Sequence, residues 1–206
     1  KLNITERHKL FMSTLALDPH KTALVLIDLQ QGIVNRPGGG PRSGADVVKN
    51  AAKLTEKFRA TGAVVVLVHV NFNADDKDRL NPAVDQPMQF NQSALPPNWA
   101  ELVPEIGPKP GDFIITKHQW GAFYGTELDL QLRRRGVRTI VLGGIATNIG
   151  VESTARDAYE RGYEQIFVED AMASVSAEAH EFVVKNIFPR IGRVRSTEEV
   201  LAALRS

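Results

Sequence analysis

The chain of 206 residues contains no cysteine. That absence removes disulfide frameworks, Cys-ligated zinc and iron–sulfur sites, and every mechanism that attacks with a thiol. Charge of one sign is missing too. Lys and Arg number 25 against 24 Asp and Glu, so no basic excess invites nucleic acid and no acidic tail is present. No stretch approaches the roughly 18 to 20 consecutive apolar residues of a membrane span. The N-terminus lacks the charged, apolar and small-residue succession of a signal peptide, which makes the cytoplasm the expected compartment, with no membrane partner. There is no H-E-x-x-H pattern or Asp/His ligand cluster, so neither a metal site nor a cofactor is expected. No serine stands in a G-x-S-x-G context, which argues against the common serine-hydrolase elbow.

What the chain does contain is an ordinary globular composition, 43% hydrophobic and 24% charged, at a length suited to one doubly wound domain. It begins with Lys1, and Met12 opens a more regular stretch. Residues 1–20 therefore read as an N-terminal arm or a vector-derived segment, and 21–206 as the domain. The run TALVLID over 22–28 is apolar without alternation, the pattern of a strand buried on both faces, and it ends on a carboxylate. Residues 46–61 carry Val47, Val48, Ala51, Leu54 and Phe58 at helical spacing, with Gly62 as a C-terminal cap. A second β-branched run at 63–70 completes a βαβ unit. Residues 71–111, broken by seven prolines from Pro82 to Pro110, form a long excursion of the kind that binds or covers something. Strands follow at 112–116, 138–142, 164–168 and 193–195, and helices at 127–135, 148–161 and 177–187. The expectation is an α/β, three-layer sandwich around a six-stranded parallel sheet, in one domain.

Chemistry in such a sheet sits outside the carboxyl ends of the strands. Those ends present Asp28 and Gln30, then His69 and Asn71, then Lys117 and His118, then the turn GGIATNIG over 143–150. Asp28 closes an apolar strand, so its carboxylate needs a partner or a task; acceptance of loop N–H groups and acid/base work stand as even readings. Lys117 at a neighbouring strand end is either a solvated lysine or the electrostatic partner of Asp28. The turn holding Ile145, Ala146 and Thr147 is the natural place for a ligand, though it matches neither the dinucleotide nor the phosphate-loop spacing. Thr147 or Asn148 can cap the following helix. Gly143 and Gly144 read as ordinary turn glycines, whereas Gly150 in a helical first turn implies a close approach to the backbone. Trp120, Phe123 and Tyr124 line a pocket, pack their loop, or form a subunit interface.

Three motifs in this order, IDLQ at 27–30, Thr116-Lys117 with Trp120-Gly121-Ala122-Phe123, and GIATNIGVESTARDA at 144–158, resemble the isochorismatase-like hydrolase family from about residue 22 to 204. The resemblance implies a six-stranded α/β fold, a homodimer or homotetramer and a small-molecule substrate. It places Asp28, Lys117 and Gly150 on the family's Asp, Lys, Cys triad, with glycine where the thiol usually stands. It also implies a cis peptide at Ile145-Ala146, and the zinc-binding histidines of nicotinamidases have no counterpart here. Isochorismatases proper, which cleave an enol ether, can carry glycine at that corner and use the aspartate as acid. Vinyl ether hydrolysis needs a proton on carbon and then water, and no nucleophilic side chain. On this resemblance the catalytic residues are Asp28, Lys117 and Gly150, and the substrate-binding residues Gln30, Trp120, Phe123, Tyr124, Ile145, Ala146 and Thr147. The substrate is expected to be small and anionic. The alternative is a catalytically silent ligand-binding or oligomeric scaffold of the same fold.

Overall fold

The computed structural model describes residues 15–36, 39–87 and 94–204; residues 1–14 of the expected arm lie outside them. Strand β1, Thr22–Ile27, is buried at every position, because its alternate side chains enter two different cores. Leu24 and Leu26 join Val47, Ala51, Leu54 and Phe58 of helix α2 (Gly44–Ala60) and Val200 and Ala203 of α7 (Thr197–Ala203). Ala23, Val25 and Ile27 join Leu128 and Leu132 of α3 (Leu128–Arg134), Ala155 and Ala158 of α4 (Glu152–Glu160), and Val183 of α5 (Ala177–Asn186). Helices on both faces of one sheet make three layers. Each fully buried Leu or Phe contributes about 1.5–3 kcal/mol relative to an exposed one.

The other strands are β2 (Val64–Val70), β3 (Phe113–Lys117), β4 (Thr139–Ile145), β5 (Glu164–Ala173) and β6 (Arg193–Arg195). All pair in parallel, in the order β3-β2-β1-β4-β5-β6. The chain moves outward from β1 through β2 to β3, then returns to the other side of β1 for β4. That reversal puts a switch point between β1 and β4, at the carboxyl ends of which a doubly wound fold places its ligands.

Several elements differ from the sequence expectation. β4 runs on through Gly143, Gly144 and Ile145, so these glycines lie in the strand and not in a turn. Gly144 has φ +122°, and a β-carbon there would stand 2.1 Å from the Ile27 carbonyl oxygen. Only glycine lets β4 pass β1 so closely. β5 continues to Ala173 past Glu169 and Asp170, with a register shift against β4 between Leu142 and Gly144. Helix α7 was not expected; Ser196 and Glu199 form a reciprocal capping box at its start. Leu17 is buried and bridges to Leu204, so the segment before β1 packs against the end of the chain.

The proline-rich excursion is pinned to the carboxyl end of the sheet. Backbone amides of Gln31 and Gly32, in the short helix α1 (Gln31–Val34), donate to Glu101 and Trp99, and Val103 donates to Leu29. Trp99, Val103 and Ile106 are buried beneath it. Arg59 of α2 holds its far side through Asp112, at 2.6 Å, and the carbonyls of Ile106 and Gly107.

Candidate active site

β1 ends at Ile27, and the chain turns at once: Asp28 takes φ 54°, a left-handed conformation that Asp adopts more readily than most residues. The turn directs its carboxylate toward Lys117 and Gly150. β3 delivers Lys117 from two strands away. The two meet with Lys117 Nζ donating to Asp28 Oδ2 at 2.8 Å, and the ammonium donates again to the Gln119 carbonyl at 3.0 Å. Their side chains are 2% and 8% exposed, so this is a buried pair. Asp28 Oδ1 is buried without a hydrogen-bond partner among the described residues. Burial pushes the Asp28 carboxyl above its ordinary range, outweighing the opposing pull of Lys117 and His69. A buried carboxyl whose affinity for a proton is raised, beside an ammonium and with one oxygen unpartnered, is a group of the kind used in acid–base chemistry.

The third corner comes from β4. The Ile145-Ala146 peptide is cis, and Thr147–Val151 then forms one π-helical turn ahead of α4. In that turn the Ala146 carbonyl accepts from the amides of Ile149 and Val151, at 3.1 and 3.2 Å. This sets Gly150 against the acid. A β-carbon on Gly150 would stand 3.0 Å from Ile27 Cγ2, 3.2 Å from Asp28 Oδ2 and 3.4 Å from the Trp120 carbonyl oxygen. The close approach implied by this glycine is therefore made by the site's own members. Any side chain at 150 would project beside the carboxylate, tight against Ile27 and the Trp120 carbonyl.

The remaining residues named from the sequence divide. Ile145 and Ala146 are half-buried beside the turn. Thr147 is fully buried, and neither it nor Asn148 caps the helix: Thr147 Oγ1 bonds to the Ala173 carbonyl and to His180, and Asn148 accepts from Ser174. Gln30 is fully buried with its amide committed to backbone, donating to Val70 and Trp99 and accepting from the Val70 amide. It fastens the excursion and turns no polar group toward a ligand. Phe123 faces the core against Tyr163, at 5.9 Å between rings, while Trp120 and Tyr124 are 57% and 75% exposed. The aromatic run thus contributes the Trp120 carbonyl to the site and two aromatic rings to the surface. His69 bonds Ala100 and Thr116, and His118 bonds Asn71 and Asp78. Among the described residues no three His, Asp or Glu side chains are grouped to hold a metal ion.

Two contributors went unrecognised in the sequence. Gln119 offers Lys117 its carbonyl and ties the loop by donating to the carbonyls of Gly121 and Tyr124. His180 reaches the turn from α5, where nothing in the helical pattern distinguishes it from any other buried position.

A six-stranded parallel sheet with a buried Asp–Lys pair at its switch point is the arrangement that the resemblance of the three motifs implies. Residues 22–199 match the Isochorismatase domain, and the chain belongs to that family. It is 55% identical to the isochorismatase family protein YwoC of Bacillus subtilis, over 92% of this chain and 97% of that one. It is 32% identical to the ureidoacrylate amidohydrolase RutB of Methylorubrum extorquens, over 93% of this chain and 86% of that one. A solved isochorismatase family structure from Burkholderia thailandensis superposes with a TM-score of 0.86 at 48% identity, covering 93% and 98% of the two chains. The protein is a hydrolase of this family. No helix of the described residues is long and apolar enough to cross a membrane.

Proposed function

We propose that the protein hydrolyses a small anionic enol ether or ester-like substrate with Asp28 as general acid and base, Lys117 as its electrostatic partner and water as nucleophile. The observation that carries the reading is the buried 2.8 Å Lys117–Asp28 pair, with Oδ1 unpartnered, beside a glycine. With an enol ether, protonated Asp28 gives its proton to the terminal vinyl carbon, leaving an oxocarbenium ion. Water adds to that cation and returns a proton to the carboxylate. The hemiketal then breaks its C–O bond, releasing a carbonyl product and an alcohol. No step needs a covalent enzyme intermediate, which suits a chain without a thiol.

Lys117 balances the carboxylate once the proton has left, and while Asp28 is protonated it gives the site a net positive charge that favours an anion. Glycine at position 150 keeps any side chain off the flank of Asp28. Ile145 and Ala146 lead into the turn that carries Gly150, and the Trp120 carbonyl faces that glycine. RutB acts on an amide; a chain with glycine at position 150 has no side chain there to form an acyl intermediate, which favours the enol ether reading. Exposed Trp120 and Tyr124 support self-association as a homodimer or homotetramer, and the composition supports a cytoplasmic setting.

The test is turnover of isochorismate by the wild type and by Asp28→Asn across pH. The expected result is turnover that falls about 10²- to 10⁴-fold in the variant and, in the wild type, declines as pH rises through the titration of Asp28. Absence of turnover in both proteins rejects isochorismate. Equal turnover in both removes Asp28 from the chemistry.

A further inference from the structure

His180 lies on α5, outside the Asp28–Lys117 pair, and is 1% exposed. Its Nδ1 is 2.8 Å from Thr147 Oγ1, which is 3.1 Å from the Ala173 carbonyl. Its Nε2 is buried with no partner among the described residues. One proton arrangement satisfies both contacts: Nδ1–H donates to Thr147, whose hydroxyl donates to Ala173, and Nε2 is left a bare acceptor. An aliphatic side chain would fill the same space without an orphaned nitrogen, so the histidine calls for an explanation beyond packing.

The explanation lies in what Thr147 holds. It is the first residue of the π-turn and directly follows the cis peptide; three residues later comes Gly150, against Asp28. The Asn148–Ser174 bond, and the Ser174–Gly40 backbone pair behind it, brace the same turn one residue further along. The turn is therefore fixed from its rear by two side-chain contacts, and one of them is titratable.

We propose that His180 is a positioning residue for the site: through Thr147 it holds the turn that sets Gly150 against Asp28, and gaining a second ring proton releases that hold. The added proton makes Nε2 a buried donor with no acceptor, and reaching water requires α5 to shift from the turn. The charged groups around the ring are Arg42 from the segment before α2, Glu169 from β5 and Glu181 from α5 itself. Arg42 is turned to Glu169, both at its carbonyl and at its carboxylate. The helix after α5, α6 (Phe188–Ile191), brings only Arg190, which donates to the Asn186 carbonyl. This role rests on the hydrolase reading above.

The test is amide hydrogen exchange of Ile149 and Val151 in the substrate-free protein, for wild type, His180→Asn, His180→Leu and Thr147→Val. Asn reproduces the Nδ1 donor and lacks the ionisable nitrogen. The expected result is exchange about tenfold faster in His180→Leu and Thr147→Val, with β1 and β4 amides unchanged and His180→Asn close to wild type. After correction for intrinsic chemistry, wild-type exchange at these two amides rises as pH is lowered from about 8 to about 5, and that of His180→Asn does not. The proposal is overturned if Thr147→Val exchanges like wild type, if His180→Asn is as fast as His180→Leu, or if the pH response survives in His180→Asn. If His180→Leu does not fold, the other two variants decide. Because exchange is read without substrate, a failure to turn over isochorismate is a separate result.

Discussion

At the scale of the residue, the Lys117–Asp28 pair is where stability and chemistry compete. Both groups are withdrawn from water, and a buried ion pair is weak support for a fold because desolvation offsets most of its attraction. Removing one partner is another matter. Lys117→Met leaves the carboxyl without a counter-charge, and a buried unpaired ion costs about 3–5 kcal/mol. Asp28 escapes that cost by keeping its proton, which burial already favours. The loss of unfolding free energy in urea is therefore expected to grow as pH rises, and to be larger at pH 9 than at pH 5. The same loss at both pH values would mean that Lys117 stabilises by packing its stem and not by its charge.

At the scale of the element, the turn between β4 and α4 depends on how closely β4 passes β1. Gly144→Ala would place a carbon 2.1 Å from the Ile27 carbonyl at φ +122°. Backbone against backbone cannot yield cheaply, so a loss of about 4 kcal/mol or more, or no soluble protein, is expected. Gly143→Ala, whose nearest contact is 3.2 Å from the Ala171 carbonyl, is expected to be milder; thermal melts of the two variants check the order. Nothing in the sequence separates these adjacent glycines, and both read as turn residues. The central strands were legible because burial on two faces demands unbroken apolar runs, as in TALVLI of β1. β5 was legible only to Val168: Glu169 and Asp170 break the run, yet Asp170 is used to cap α7 through Thr197, a contact that only the fold creates. Asp28 and Lys117 could be singled out because strand ends follow from strands. The roles of Gln30 and His180 could not, since a buried amide fastening two loops and a buried imidazole behind a turn depend on partners from 33 to 69 positions away.

At the scale of the whole molecule, the two buried titratable groups on either side of the turn pull the pH dependence of stability in opposite directions. Asp28 has its carboxyl raised in the fold above its ordinary 3.8, so the folded chain holds that proton more tightly than the unfolded one. Its contribution is fully present below 3.8 and is lost as pH rises through the raised value. His180 has its imidazole lowered below 6.5, chiefly by burial and then by Arg42. The unfolded chain takes up that proton first, so stability is lost as pH falls below 6.5 toward the lowered folded value. Difference melts isolate each group. The melting temperature of His180→Asn relative to wild type is expected to climb as the buffer is taken from pH 7 to pH 5, because the variant has no proton to accept. That of Asp28→Asn relative to wild type is expected to climb in the other direction, toward alkaline pH, because the amide never ionises. If both differences are flat with pH, neither group is perturbed by the fold, and the competition between burial and charge inferred for the site is absent.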